Sequence, residues 1–298
     1  MNKENIIKYL EVIKKAVSFI EEELNDVKDS SGVELIKEPK KVSSGRYSYI
    51  NDILNHPNWP EAIPSHVICK PTEEDQENRA NAVLQAMIDC DLNDLNFLDY
   101  GCGDGWITNQ AIQLNVRSST GYDINSSEIW DKFPRAIFTT NKNDLKQSFY
   151  DVIFLYDVLD HCMDAESVMN HVYELLSDKG IVYIRCHPWT SKHGSHLPKK
   201  GLNKAYVHLF LTEQEIVKHG HEITFTRMET KPLEAYKWWF RNFYVNLERF
   251  HRQDLHPFFK NPTFQNHMFL EQKIESKDQK EFIKNLEIDF IDYVLTKK

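Results

Sequence analysis

One stretch constrains this chain more than any other: Phe97-Leu98-Asp99-Tyr100-Gly101-Cys102-Gly103-Asp104-Gly105-Trp106. Asn96–Asp99 reads as a short buried strand, and a helix is expected to begin near Trp106. Between them glycines stand at alternate positions, where a backbone takes positive φ or comes close to a ligand. A strand that turns tightly into a helix opens a β-α-β unit, so a parallel sheet covered by helices is expected. The same residues exclude two common loops. The dinucleotide fingerprint needs glycine where Trp106 stands, which disfavours NAD and FAD, and no Gly-Lys-Ser/Thr follows, which removes a P-loop.

Downstream the alternation continues. Strands are expected at Ser119–Ile124, Ala136–Thr140, Asp151–Tyr156, Ile181–Cys186, Glu222–Met228 and Asp289–Leu295. The clearest helix between them is Ala165–Leu176, with Val168, His171, Val172, Leu175 and Leu176 to one side. Glu73–Ile88 is expected to be helical too: acidic residues open it, and Ala80, Val83, Leu84 and Met87 share a face. Nearer the start, Ile6, Leu10, Ile13, Val17, Ile20 and Leu24 follow a helical period over too few heptads for a coiled coil. Loop signals fill Asp29 to about Glu74, yet Tyr47, Tyr49, Trp59 and Pro60 suit an ordered cover. The segment 232–284 contains YKWWFRNFYVNLERF, leans helical, and reads as an insertion whose aromatic residues make its core. The expected fold is α/β: a doubly wound, mostly parallel seven-stranded sheet with an N-terminal helical cover (1–74). The main domain spans 75–298 and carries a basic loop (190–205) and the C-terminal helical insertion (232–284).

About twenty residues beyond the glycine loop, Gly121-Tyr122-Asp123-Ile124 ends the second strand in a carboxylate, a group able to accept both hydroxyls of a ribose. Two further elements follow in order: Tyr150-Asp151-Val152-Ile153 through Val158-Leu159-Asp160-His161, then Leu175-Leu176-Ser177-Asp178-Lys179-Gly180 before the fifth strand. Together these resemble the class I S-adenosylmethionine-dependent methyltransferases over about Asp75–Lys298, minus the insertion. His208-Leu209-Phe210-Leu211-Thr212-Glu213-Gln214-Glu215 is similar to the H-x-x-x-T-x-x-E lead-in of the small-molecule, ubiquinone-biosynthesis-type branch. The resemblance implies an enzyme with S-adenosylmethionine as its cofactor. By the same resemblance Asp99 and the loop of Gly101, Cys102, Gly103 and Gly105 line the methionyl end. Asp123 binds the ribose and Ile124 lies beside the adenine. Asp144, with Asn141 as the alternative, meets the adenine, and Tyr156 at the end of strand four completes the set.

Methyl transfer from a sulfonium is an in-line displacement, so positioning dominates, and a base is needed where the nucleophile must lose a proton. The candidates are groups beyond the carboxyl ends of strands four and five. There His161-Cys162 and Cys186-His187 are expected to converge, with His161 or His187 as general base. Such pairs could also bind zinc, but they lack the x-x spacing of zinc clusters, and no metal is expected. The loop from Lys192 to Lys204 reads either as solvated surface or as a lid hinged at Gly194 and Gly201. In the second reading its lysines face a phosphate or carboxylate of the acceptor.

Lys and Arg number 36 against 45 Asp and Glu, a net charge of −9, which argues against general attraction to nucleic acid or anionic lipid. Leu155-Tyr156-Asp157-Val158 stands where amino-directed DNA methyltransferases carry Asp/Asn/Ser-Pro-Pro-Tyr/Phe. No cysteine follows a proline, as enzymes acting at pyrimidine carbon five require. The expected function is therefore O- or N-methylation of a small or medium-sized acceptor. An RNA or nucleotide methyltransferase and a non-catalytic S-adenosylmethionine-binding regulatory subunit are the alternatives. No apolar run reaches the roughly 18–20 residues of a membrane span. MNKENIIKYL does not read as a signal peptide, and five cysteines suit reduced thiols, so the expected setting is cytoplasmic. No motif speaks to the acceptor's identity or the oligomeric state.

Overall fold

Successive side chains of a strand point to opposite faces of its sheet, and here both faces are apolar. Along β4 (Tyr150–Tyr156), Ile153 and Leu155 enter one core while Val152 and Phe154 enter another. The other strands are β1 (Asn96–Tyr100), β2 (Ser118–Tyr122), β3 (Ile137–Thr139), β5 (Leu176–Cys186), β6 (Phe243–Arg252) and β7 (Ile288–Lys297). They form one sheet in the order β3-β2-β1-β4-β5-β7-β6. Every pair from β3 to β5 is parallel, and β7 runs antiparallel to both β5 and β6. This is the doubly wound, mostly parallel sheet expected. The computed structural model describes residues 54–63, 71–162, 164–192, 202–212 and 232–298, with 194, 197 and 215. The chain divides into two compact units, Met1–Asp52 and Ile53–Lys298. The expected helix at 6–24 and the expected strand Glu222–Met228 lie outside the described residues.

Helices cover each face. On one, Val83, Leu84 and Met87 of α1 (Glu73–Met87) and Ala111 of α2 (Trp106–Gln113) pack on Phe97, Val152, Phe154 and Tyr183. On the other, Met169, Val172 and Leu175 of α3 (Ala165–Leu175) meet Ile153, Val182, Ile184 and Cys186. Tyr236 of α4 (Pro232–Trp239) extends that core toward Tyr293. A capping box starts α1: the Asp75 amide donates to Thr72 Oγ1 (3.1 Å), and the Thr72 amide donates to Asp75 Oδ2 (2.9 Å). Two further helices, α5 (Pro262–Glu271) and α6 (Gln279–Leu286), precede the last strand. Among the described residues no helix is long and apolar enough to cross a membrane.

The segment 232–284 is not helical throughout, because Phe243–Arg252 is the edge strand β6. Helical propensity is a weak prior, and here it is overridden by pairing with β7 from Phe243↔Lys297 to Arg252↔Ile288. Register shifts between Val245 and Leu247 and between His251 and Arg252 blur the alternation that would have marked a strand. Tyr236, Phe240 and Phe243 are core residues as expected, whereas Trp238 and Tyr244 are exposed.

Trp59 is buried among Phe210, Phe258, Phe259 and Phe264, while Tyr47 and Tyr49 of the expected cover lie outside the described residues. The Trp59 indole N–H donates to the Ala205 carbonyl (2.7 Å). Asn203 completes the clasp: Oδ1 accepts from the amides of Ala62 and Ile63, and Nδ2 donates to the Ile63 carbonyl (2.6 Å).

Candidate active site

The strand order reverses between β1 and β4, and in open α/β sheets ligands bind outside the carboxyl ends at such a point. The glycine loop stands there. Gly101, Gly103 and Gly105 all take left-handed φ (+82°, +51° and +83°). A Cβ on Gly101 would stand 2.5 Å from Val158 Cγ2, and one on Gly105 would stand 2.6 Å from Phe138 Cε1. Above Gly103 nothing lies within 4 Å. Packing and φ thus require glycine at the first and third positions, while the middle one faces open space. The amides of Gly101 and Cys102 both donate to the Tyr122 carbonyl (2.7 and 3.0 Å), tying the loop to β2. From the other side Trp130 Nε1 donates to the Gly103 carbonyl (2.8 Å) while its ring stacks on Phe138.

Over the loop lies a cleft of about 230 Å³ that is open to solvent. Asp99, Gly101, Cys102, Gly103 and Tyr156 line it, joined by Gln76 and Arg79 of α1, Asp104, Trp106 and Asp157. Asp99 is buried at its base and accepts from Thr108 Oγ1 (2.8 Å); burial pushes its carboxyl up to about 7. At the mouth Asp123 Oδ2 accepts from the Gly103 amide (2.9 Å) and Oδ1 from the Asn125 amide (3.0 Å). A carboxylate has about four lone-pair sites, so this one can still accept from a ligand. Ile124 beside it is 78% exposed, an apolar side chain facing solvent. Asp144 and Asn141, the two alternatives for the adenine contact, share one local network: Asn141 Nδ2 donates to Asp144 Oδ1 (3.0 Å), and Thr139 Oγ1 donates to Asp144 Oδ2 (2.7 Å). The Asp123 amide meets the Thr139 carbonyl (3.3 Å), so both acids flank the end of β3.

His161 and His187 do not line this cleft. They meet instead around the buried Asp160, whose carboxyl burial pushes up and whose charge both imidazoles partly offset. The expected convergence of the two strand ends therefore has a centre that the sequence did not mark. His187 Nδ1 lies 2.8 Å from the Asp289 carbonyl, and Nε2 lies 3.4 Å from Asp157 Oδ1. Asp157, with φ +53°, links His187 to the cleft it lines. The His161 ring is more open, with 40% of its side chain exposed and Nε2 4.0 Å from Asp160 Oδ2. Burial pushes the Cys162 thiol up to about 12 and raises those of Cys102 and Cys186 as well, which keeps all three protonated. Among the described residues no group of three or more His, Cys, Asp or Glu side chains is arranged to hold a metal.

Two lysines of the basic loop are described, and both have protein partners. Lys192 Nζ donates to Gln253 Oε1 (2.9 Å), and Lys204 Nζ donates to the His56 carbonyl (3.2 Å). The other lysines of that loop, and Gly201, lie outside the described residues. The Thr212 and Glu215 pair forms a capping box, with the Thr212 amide donating to Glu215 Oε2 (2.7 Å) and the Glu215 amide to Thr212 Oγ1 (3.3 Å). Sequence reasoning missed Gln76, Arg79 and Trp130, whereas Tyr156-Asp157 stood at the strand-four end where active-site groups were expected. For the first two a signal existed: residues 76, 79, 80 and 83 fall on one helical stripe, of which only the apolar members attract notice.

Comparison with known proteins places these features. The profile of a family described as "Methyltransferase domain" matches residues 72–266. No curated protein matches the chain. Among solved structures, an S-adenosylmethionine-dependent methyltransferase from Archaeoglobus fulgidus is 15% identical with a TM-score of 0.43, covering 76% of this chain and 95% of that one. One from Mesorhizobium loti is 13% identical with a TM-score of 0.42, covering 74% and 99%. Haemonchus contortus phosphoethanolamine N-methyltransferase 2, in complex with S-adenosyl-L-methionine, is 15% identical with a TM-score of 0.44, covering 74% of this chain and 52% of that one.

Proposed function

The chain belongs to the methyltransferase-domain family and is an S-adenosylmethionine-dependent enzyme; we propose that it methylates a small or medium-sized acceptor at oxygen or nitrogen. When bound, the cofactor supplies an electrophilic methyl group on a sulfonium. The residues present fit it. The open space above Gly103 admits a ligand against bare backbone, and Asp99 and Asp104 offer carboxylates to its cationic end. We assign the methionyl end to Asp99, Gly101, Cys102, Gly103 and Gly105, and the ribose hydroxyls to Asp123. Ile124 and Asp144 flank the adenine, and Tyr156 closes the cleft toward the acceptor. The observation that carries this reading is the hydrogen bond from the Gly103 amide to Asp123, which fixes a carboxylate at the lip of a glycine-walled cleft.

Methyl transfer leaves a proton to be removed from a hydroxyl or ammonium acceptor. We assign that proton to the Asp157–His187 pair, where the Asp289 carbonyl orients the imidazole and Asp157 faces the cleft; His161 is the second candidate. Calorimetry with S-adenosylhomocysteine tests the cofactor site: micromolar binding by the wild type and its loss in Asp123→Ala are expected. No heat with well-folded wild-type protein would sink the assignment. A screen for S-adenosylhomocysteine release against small hydroxyl and amine compounds, with structured RNA as the contrast, tests the acceptor class. Turnover with RNA alone would reject the small-molecule reading. With an acceptor in hand, unchanged kcat in both His187→Gln and His161→Gln would remove the base.

A further inference from the structure

We propose that Trp130 is a positioning residue for the glycine loop: its indole N–H holds the Gly103 carbonyl and so keeps the middle of the loop in the shape that receives the cofactor. The proposal rests on the reading that the cleft holds S-adenosylmethionine. Side-chain packing fixes the two ends of the loop, Gly101 against Val158 and Gly105 against Phe138, but a Cβ on Gly103 would meet nothing within 4 Å. Glycine also loses more backbone freedom on ordering than any other residue. Hydrogen bonds must therefore hold Gly103, and they reach it from both sides. Its amide donates to Asp123 Oδ2 (2.9 Å) and its carbonyl accepts from Trp130 Nε1 (2.8 Å), with Cys102 Sγ more distant at 3.8 Å. With the peptides on either side of it tied down, Gly103 has little room to leave its φ of +51°.

Trp130 does not line the cleft, so it acts through the loop rather than on the ligand. It is itself firmly held. Its ring stacks on Phe138, with centroids 4.9 Å apart and planes within 9°. Phe138 in turn fills the space beside two glycines: a Cβ on Gly105 or on Gly121 would stand 2.6 Å from its ring. Trp130 lies in a short 3-10 turn, Glu128–Lys132, and the Ser127 that precedes it donates from Oγ to Asp104 Oδ1 (2.7 Å), a second tie to the same loop. Lys132 pairs with Glu73 of α1, and Phe133 meets Trp106 at the start of α2 edge to face (5.1 Å). The segment after β2 thus bridges the loop, α1 and α2. An indole N–H delivered from so constrained a segment is preorganised for its one acceptor, and a loop fixed before the ligand arrives costs less to order on binding.

Calorimetry with S-adenosylhomocysteine on wild type, Trp130→Phe and Trp130→Ala tests the role. Trp130→Phe keeps a ring to stack on Phe138 and removes the N–H. It should bind about threefold to tenfold more weakly than wild type, the range for one neutral hydrogen bond. Trp130→Ala, which loses the stack as well, should bind at least as weakly. One lost hydrogen bond should lower the apo melting temperature of Trp130→Phe by no more than about 4 °C, so both proteins are compared fully folded. With an acceptor in hand, the KM for S-adenosylmethionine should rise by the same factor at unchanged kcat. Should Trp130→Phe fail to fold, the wild type still decides. Solvent exchange of the Trp130 indole N–H, followed by NMR, should slow by about threefold to tenfold at saturating S-adenosylhomocysteine, because coupling between the bond and the ligand is reciprocal. Affinity unchanged in Trp130→Phe, whatever its melting temperature, or indole exchange that the ligand does not slow, would overturn the role of Trp130 while leaving the cofactor site intact. Wild-type protein that binds no S-adenosylhomocysteine would overturn the cofactor reading and this inference with it.

Discussion

Asp99 is the residue at which ligand binding and stability oppose each other most directly. Its carboxyl is buried at the base of the cleft, and burial raises it from 3.8 to about 7 despite the hydrogen bond from Thr108. An acid raised in the folded state binds its proton more tightly there than in the unfolded chain. Stability therefore falls as pH rises from 3.8 to about 7 and is flat above that. The difference between 3.8 and about 7 corresponds to about 4 kcal/mol, at about 1.4 kcal/mol per pH unit. Asp99→Asn keeps an acceptor for Thr108 and removes the ionisation. Its stability advantage over the wild type should grow by about 3 kcal/mol between pH 5 and pH 8, since two of those pH units lie below about 7. For a unit of this size that is about 6–12 °C in melting temperature. Urea unfolding of both apo proteins at the two pH values measures it. If Asp99 holds the methionyl end as proposed, the same variant should also lose affinity for S-adenosylhomocysteine, because a neutral amide would replace the carboxylate there. An advantage that stays constant between pH 5 and pH 8 would refute a buried carboxyl titrating near neutrality.

Three further outcomes are expected. Gly101→Ala combines a φ of +82° with a methyl 2.5 Å from Val158, so urea unfolding should show a loss of about 2–4 kcal/mol. Burial pushes the Asp292 carboxyl up, but hydrogen bonds from Arg185 (2.6 and 2.7 Å) and His251 (2.7 Å) outweigh it and hold it below its ordinary value. Its contribution to stability is present above pH 3.8 and lost as pH falls through the lowered value. Asp292→Ala should cost about 3–5 kcal/mol at pH 7, because Arg185 stays buried without its partner; a cost under 1 kcal/mol in urea unfolding would count against it. Cys102 and Cys162 should alkylate with iodoacetamide at pH 8 much more slowly than a free thiol, since burial raises both above 9.0. Mass spectrometry of the labelled sites measures the rates, and labelling as fast as free cysteine would contradict the burial.

Much of the fold was legible because local chemistry and tertiary position agree. The stripe Ala80, Val83, Leu84 and Met87 reappears as the buried face of α1. Strand, glycine loop, the acid that follows the second strand and the fourth strand were readable in order because steric demands, left-handed φ above all, leave few residue types able to serve. Phe243–Arg252 was misread because an edge strand takes its stability from β7, some forty residues later in the chain, and its bulges break the local period. Part of the candidate site was hidden for a similar reason. Arg79 and Gln76 look like the solvated face of a helix until the fold lays that face over the glycine loop.

His161 and His187 were expected to converge, but the sequence did not say around what. Asp160 between them, and the Asp157 contact that leads from His187 to the cleft, depend on β4 and β5 lying side by side. The amino-acid order alone determined the sheet's alternation, the glycine turn and the acid that ends β2, since each is imposed by neighbours a few residues away. Only the tertiary structure decided which charges face one another in the cleft, because a Coulomb interaction depends on distance through space, and folding sets that distance between residues far apart in the chain.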